Sequence, residues 1–413
     1  MKYGLIGERL GHSFSKDIHS RLGGYEYELR EINQDKLDAF MRERDFLGIN
    51  VTLPYKQRVM PYLDWISEPA KKIGAVNTII NQGGKLYGYN TDLYGLKSLI
   101  MHAGIDPKGK KAAILGSGGT SKTAMAVLED MNAGEILRVS RGGGDGLISY
   151  EMLKSEHKDV EIIINTTPVG MFPDVFGCVL DISEFSALEG VIDVVYNPMN
   201  TTIVQSARER GIKAEGGLYM LVGQAAVASE LFLNEKRSSN SDIIDEIYRN
   251  IKAESENIVL IGMPSSGKSR VGKILAERLG RKFIDTDELI TEKIGMPIKS
   301  YFEINGEEAF REIETEVIRD IAGEIGAVIA TGGGAILKKE NVSALKYNGN
   351  LTFIDRPIEM LCATDSRPLS SDEKSLRDLY ERRYEIYLSA CDNRVDGSVE
   401  AEEVAEKIME NYK

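Results

Sequence analysis

Only three cysteines, four histidines and one tryptophan occur in 413 residues. Cys178, Cys362 and Cys391 are odd in number and nowhere spaced as C-x-x-C, so they offer neither a disulfide framework nor a zinc motif. Lone thiols of this kind are expected to be small, buried core residues. No uncharged apolar run reaches bilayer-spanning length, and the opening MKYGLIGERLGHS has no apolar stretch of signal-peptide length. The expected setting is therefore the cytoplasm. Excess positive charge is missing too: a formal net charge of −13 opposes a long polyanion, because nucleic-acid affinity draws on unneutralised Lys and Arg. Neither nucleic acid nor membrane is expected as a partner. Small phosphates in local basic pockets stay compatible with this balance, and self-association into a homo-oligomer stays open.

What is present is length and pattern. The chain exceeds the size at which a single core usually stops growing, so at least two folding units are expected. After residue 104 an apolar run at Ala112–Leu115, a glycine turn, an amphipathic segment to Asn132 and a second run at Ile136–Val139 spell one βαβ unit. The runs EIIINTT and GVIDVVYNP extend it into a parallel sheet. The first hundred residues mix helical stretches with strand candidates such as FLGINVTLP and VNTIINQGGKLYGYN. A helix over IIDEIYRNI ends this first unit, 253–256 is the joint, and NIVLIG opens a second α/β unit.

The second unit begins with a phosphate loop. Gly262, Met263, Pro264, Ser265, Ser266, Gly267, Lys268 and Ser269 fit G-x-x-x-x-G-K-[ST] between a strand and a helix. Backbone N–H groups and the helix N-terminus would surround the phosphates of ATP, Lys268 would reach the β and γ groups, and Ser269 would hold Mg²⁺. Next, KFIDTDELI carries Asp285 and Asp287 two apart at a strand end, a spacing that puts both on one side while the strand persists, although alone the pair could be a solvated strand end with a helix cap. Then come Arg311 and Glu314 three apart on a helix, three glycines at Gly332, Gly333 and Gly334, Arg367 in SRPLS and Arg383 in ERRYEIY. Taken alone, Arg311 and Glu314 could be an exposed surface pair.

This ordered set closely resembles shikimate kinase over residues 257–413. The resemblance implies that Asp285 lies near Mg²⁺, that Asp287 binds the accepting hydroxyl and is catalytic with Lys268, and that Arg311 and Arg383 grip the substrate carboxylate. It also implies that Gly332–Gly334 line the substrate site and that Arg367 reaches the phosphates from a lid. The segment EMLCATDS before the lid arginine lacks a further arginine that such kinases often carry.

The first unit has its own nucleotide loop, Gly116-Ser117-Gly118-Gly119, which is shorter than the full dinucleotide fingerprint but correctly set between strand and helix. The second strand of this unit ends in Ser140-Arg141, with no carboxylate to repel a 2′-phosphate, which favours NADP over NAD. Upstream stand GHSFS, GINVTLPYK, GAVNT and GYNTD, in which Asp92 could lie opposite Lys56. With DVVYNP and GLYMLVGQAA, this series strongly resembles shikimate dehydrogenase over residues 1–252. The resemblance makes Lys56 and Asp92 the catalytic pair. It gives Ser13 and Ser15 the substrate carboxylate, and gives Thr52, Asn77 and Gln224 the substrate hydroxyls, with Tyr196 lining the site. Asn165, Thr166 and Thr167 would contact the cofactor. Family members read N-R-T where this chain has Ser140-Arg141-Gly142.

The expected architecture is α/β throughout. A two-lobed unit pairs an α/β substrate lobe (about 1–104 plus 219–252) with a Rossmann NADP lobe (about 105–218), and a P-loop kinase with a parallel sheet follows at 257–413. The expected reactions are consecutive: NADPH-dependent reduction of 3-dehydroshikimate, then phosphorylation of shikimate by ATP and Mg²⁺. Rival readings are a quinate/shikimate dehydrogenase fused to a related small-molecule kinase, or a non-catalytic metabolite sensor.

Overall fold

Three sheets organise the chain, seen in a computed structural model that describes all residues except 12, 145, 237–239, 362–372 and 413. The molecule divides into two compact units, one made of Met1–Met171 with Gly177–Asn250 and the other of Phe172–Phe176 with Ile251–Lys413.

In the first unit, β1 (Tyr3–Gly7), β2 (Tyr27–Glu31), β3 (Gly48–Val51), β4 (Trp65–Ile66), β5 (Thr78–Gln82) and β6 (Lys85–Tyr89) form a mixed sheet in the order β2-β1-β3-β5-β6-β4. Ile6, Ile49, Val51, Ile79 and Leu86 bury their side chains in one cluster with Tyr55 and Val59, which seals one face of this sheet. β5 and β6 are antiparallel and closed by Gly83-Gly84, both with positive φ (60° and 84°), as a two-residue hairpin turn requires.

The second lobe is a parallel sheet of β7 (Ala112–Leu115), β8 (Ile136–Val139), β9 (Ile162–Asn165), β10 (Gly190–Asp193) and β11 (Lys213–Glu215), ordered β11-β10-β9-β7-β8. β7, β9 and β10 are wholly buried, so they read as continuous apolar runs rather than as alternation. Strand order reverses at β7 and β9, the point where doubly wound sheets open a crevice at the carboxyl ends. The chain then returns to the first lobe through the helix Leu218–Leu233, which packs along the helix Asp92–His102. Gly95 permits the approach, since a Cβ there would sit 3.1 Å from the Gln224 backbone nitrogen.

The second unit is a parallel sheet of β12 (Asn257–Ile261), β13 (Phe283–Asp285), β14 (Val328–Ala330), β15 (Gly349–Asp355) and β16 (Asn393–Asp396), in the order β13-β14-β12-β15-β16. Side chains alternate between two cores: Val259 and Ile261 pack to one side with Ile329 and Phe353, Ile258 and Leu260 to the other with Val271 and Leu275. The fold class is thus α/β, with parallel sheets in the second lobe and in the second unit, as expected.

Three local expectations need correction. The joint at 253–256 is helical up to Ser255, because the helix Asn240–Ser255 continues and Arg281 donates to the carbonyls of Ala253 (2.5 Å) and Glu256 (2.8 Å) at its end. The cysteines are not core residues: Cys178 is exposed and Cys391 half-buried, since each lies outside the regular elements, and Cys362 is outside the described residues. Asp285 and Asp287 do not share a strand face, because Asp285 ends β13 and caps the helix on which Asp287 lies. Among the described residues no helix is long and apolar enough to cross a membrane.

Candidate functional sites

The loop after β3 carries Lys56, whose backbone carbonyl accepts from Val76 N–H (2.9 Å) and so stands beside the approach to Asn77. Asp92 opens the helix Asp92–His102. Lys56 Nζ donates to Asp92 Oδ2 at 2.7 Å, and Asn77 Nδ2 donates to Asp92 Oδ1 at 2.8 Å. With both oxygens engaged, the carboxylate has a fixed plane. Asn77 is fixed in turn, because its Oδ1 accepts from Thr91 N–H at 2.7 Å. Gross attraction at this separation is on the order of 6 kcal/mol at an effective dielectric near 20, before solvation costs. The lysine side chain keeps 22% exposure, so its other N–H bonds can face a ligand.

Gln224 joins the same set through Thr91, whose Oγ1 donates to Gln224 Oε1 at 3.3 Å. Ser13 and Ser15 form a separate group at the first turn of the helix Ser15–Leu22, with Ser13 Oγ 3.0 Å from Ser15 Oγ. Between them Phe14 meets the ring of Tyr196 at 5.8 Å, and burial pushes the Tyr196 phenol pKa up. Thr52 follows β3, its N–H bonded to Ile6 O at 3.0 Å and its methyl facing Gly7.

In the second lobe the strand ends Leu115, Asn165 and Asp193 stand in register. Gly116 leaves β7 with φ 116°, and a Cβ there would lie 2.7 Å from Thr166 Oγ1. Ser117 and Gly118 lead into the helix that starts at Gly119. Thr166 donates to Leu115 O from both its N–H (2.9 Å) and its Oγ1 (2.7 Å), which presses the Thr166-Thr167 turn against the glycine loop. Ser140 Oγ accepts from Gly143 N–H (3.1 Å) and Arg141 beside it is exposed. Backbone amides at the crevice and an outlying arginine fit a dinucleotide bearing a 2′-phosphate. Asn165 does not fit a direct contact. It is 0% exposed, with Nδ2 donated to Asp193 and Oδ1 accepting from Thr167 N–H and Oγ1.

In the second unit the loop after β12 takes positive φ at Gly262 (151°), Ser265 (64°) and Gly267 (94°), which curls its N–H groups inward ahead of the helix Lys268–Leu279. Met263, Pro264 and Ser266 are buried in the loop wall. Lys268 Nζ donates to the carbonyls of Gly262 (2.8 Å) and Met263 (2.9 Å). Ser269 Oγ donates to Asp285 Oδ2 at 2.6 Å, a pair of hard oxygen ligands suited to Mg²⁺, an ion that otherwise keeps water and phosphate. β13 ends at Asp285 because this side chain also caps the next helix, its Oδ1 accepting from Asp287 N–H at 3.0 Å. Asp287 therefore sits on the first helical turn, not on the strand face.

That turn places Asp287 in a second pocket. A Cβ on Gly332 would lie 2.8 Å from Asp287 Oδ1 and 2.9 Å from Glu314 Oε1, one on Gly333 would meet Pro264 Cδ at 2.9 Å, and one on Gly334 would overlap the Arg311 guanidinium. A side chain at any of these three positions would have to displace the groups that now close up against the glycines. Arg311 Nη1 donates to Glu314 Oε2 at 2.6 Å, and Glu314 is 1% exposed, so this is no surface pair. Burial pushes the Glu314 carboxyl up, against the pull of Arg311. Arg383 is buried and donates to Gly333 O at 2.9 Å; burial, then the repulsion of Arg311, draws its guanidinium pKa down. Two neighbouring guanidinium groups in one pocket suit an anionic substrate. Arg367 falls outside the described residues.

Sequence reasoning underrated Glu314, Tyr387 and Thr91. Glu314 orients Arg311, Thr91 couples Asn77 to Gln224, and Tyr387 Oη lies 2.9 Å from Gly262 O. Their spacing was visible, but burial, which gives the contacts their weight, was not.

Comparison with known proteins agrees in both units. The family profile described as Shikimate dehydrogenase substrate binding domain matches residues 5–79, and the one described as Shikimate kinase matches residues 264–413. A Shikimate dehydrogenase (NADP(+)) of Clostridium perfringens is 36% identical over 269 residues, covering 60% of this chain and 98% of that protein. A crystal structure of shikimate dehydrogenase 1 from Peptoclostridium difficile is 40% identical, with TM-score 0.56 over 61% of this chain and 98% of that one. The Thermus thermophilus shikimate 5-dehydrogenase solved with NADP(H) and shikimate is 28% identical, with TM-score 0.54 over 60% of this chain and 98% of that one.

Proposed function

Because the chain belongs to the shikimate dehydrogenase family and continues into a shikimate kinase domain, we propose that it catalyses two consecutive steps: reduction of 3-dehydroshikimate with NADPH, then phosphorylation of shikimate by ATP. The Lys56–Asp92 pair at 2.7 Å, with Asn77 on the other carboxylate oxygen, is the observation that carries this reading. Reduction turns a ketone oxygen into an alkoxide, and a positioned ammonium stabilises and protonates it as charge develops. Asp92 holds that ammonium in place. Ser13 and Ser15 offer hydroxyl donors to the substrate carboxylate, and Thr52, Asn77 and Gln224 hold its hydroxyls beside Tyr196. The nicotinamide supplies the hydride when bound, and Gly116–Gly119, Thr166 and Thr167 cradle the cofactor, with Arg141 toward the 2′-phosphate.

In the kinase unit Arg311 and Arg383 bind the shikimate carboxylate against Gly332–Gly334, and Asp287 orients the accepting hydroxyl. Phosphoryl transfer asks mainly for positioning and charge neutralisation, which Lys268 and the loop amides supply. Ser269 and Asp285 would hold the Mg²⁺ that accompanies ATP. The purified protein, given 3-dehydroshikimate and NADPH, should yield shikimate alone, and on adding ATP and Mg²⁺ should yield shikimate 3-phosphate. Absence of both products would leave a metabolite-binding protein instead of an enzyme.

A further inference from the structure

Asp193 is an ionisable group that neither reaction uses. It closes β10, is 0% exposed, and has no cationic side chain in ion-pair contact among the described residues. Three donors surround it: Asn165 Nδ2 at 3.0 Å and Val195 N–H at 3.0 Å on Oδ1, and Thr201 Oγ1 at 2.6 Å on Oδ2. Burial pushes the carboxyl up to about 6 against these bonds. A carboxyl buried without a cation is costly, and these hydrogen bonds are what offset the cost.

The contacts lead in one direction. Asn165 has two distinguishable ends, and Asp193 takes the amide nitrogen, so the oxygen must face the other way. There it accepts from Thr167 N–H (3.0 Å) and Thr167 Oγ1 (2.7 Å), and Thr167 Oγ1 accepts from Val169 N–H (3.3 Å). The turn so fixed is the one whose Thr166 hydroxyl abuts Gly116 at the mouth of the crevice. We infer that Asp193 is a positioning residue for the nicotinamide cofactor: by setting the orientation of Asn165 it holds the Thr166-Thr167 turn against the glycine loop. This rests on the dehydrogenase reading above.

An asparagine at this position could serve as well. Its oxygen would accept from Asn165 and Val195, and its nitrogen would donate to Thr201 Oγ1, which as a hydroxyl can also accept. Alanine would leave Asn165 Nδ2 buried without an acceptor.

The test measures shikimate oxidation by the full-length protein. Asp193→Ala should raise KM for NADP⁺ about tenfold, the scale of one buried polar group left unpaired, while KM for shikimate stays within about twofold. Asp193→Asn should restore KM for NADP⁺ to within about twofold of wild type. Asn165→Ala should match Asp193→Ala, and the double variant should be no worse than either, since both cut the same connection. If Asp193→Ala does not fold, Thr201→Val, nearly isosteric and on the far side of the carboxylate from Asn165, should still raise KM for NADP⁺ about threefold. An unchanged KM for NADP⁺, an asparagine variant as impaired as alanine, or additive effects in the double variant would overturn the assignment. Failure of the wild type itself to use NADP⁺ would overturn the reading on which it rests.

Discussion

Two lysines in this chain meet opposite electrostatic settings. Lys56 is gripped by a carboxylate delivered from 36 residues further on, itself held by Asn77, whereas Lys268 is folded back onto the carbonyls of its own loop, five and six residues before it. The first arrangement is complete without a ligand: charge is balanced locally, and on the proposed function what it offers is a directed proton. In the second, weak carbonyl acceptors occupy an ammonium that a phosphate would bind far more strongly. One site is built to give, the other to receive, and each needs long-range or short-range sequence contacts accordingly.

The sharpest way to test this contrast is to remove each ammonium. Lys56→Ala should lower kcat for shikimate oxidation by roughly 10³-fold, a usual size for a lost acid–base group, and leave phosphorylation unchanged. Lys268→Ala should do the converse, cutting phosphorylation by about 10³-fold. Either substitution silencing both reactions in a folded protein would show that the sites are not independent. A smaller effect probes the receiving site alone: Gly334→Ala puts a methyl into the Arg311 guanidinium, so KM for shikimate in phosphorylation should rise about 30-fold with the NADP⁺ reaction untouched. Unaltered KM would mean that Arg311 does not meet the substrate. Smallest is the rim of the giving site, where Arg141→Ala should reduce the preference for NADP⁺ over NAD⁺ about tenfold, read as the ratio of the two kcat/KM values.

How much of this was legible in the sequence depended on whether local pattern or long-range burial decided the matter. Ala112–Leu115 could be read directly, because a strand covered on both faces must be apolar at every position, whereas the edge strand Ile136–Val139 is buried only at Val139 and admits Arg138. Lys56 and Asp92 were legible only through resemblance, since nothing local brings residues 36 apart to 2.7 Å. The D-T-D stretch left two readings, a shared strand face or a strand end with a helix cap, and the second holds, since Asp285 ends β13 and caps the helix that carries Asp287. Asn165 was assigned to the cofactor by position, but the last residue of a central strand points into the sheet's surroundings, and only its neighbour Asp193 reveals what its amide does. Cys178 shows the reverse error, in which composition suggested burial and an irregular connection denied it.

Tyr387 ties the two halves of the kinase pocket together. Its phenol stands against two carbonyls, Gly262 O of the phosphate loop and Gly333 O of the glycine wall, yet a hydroxyl owns a single proton. At any instant one carbonyl is bonded and the other faces a lone pair, so the two acceptors compete for one clasp. Whatever draws the phosphate loop away surrenders the proton to the wall, and whatever draws the wall away returns it. The phosphate loop and the glycine wall thereby share a single fastening.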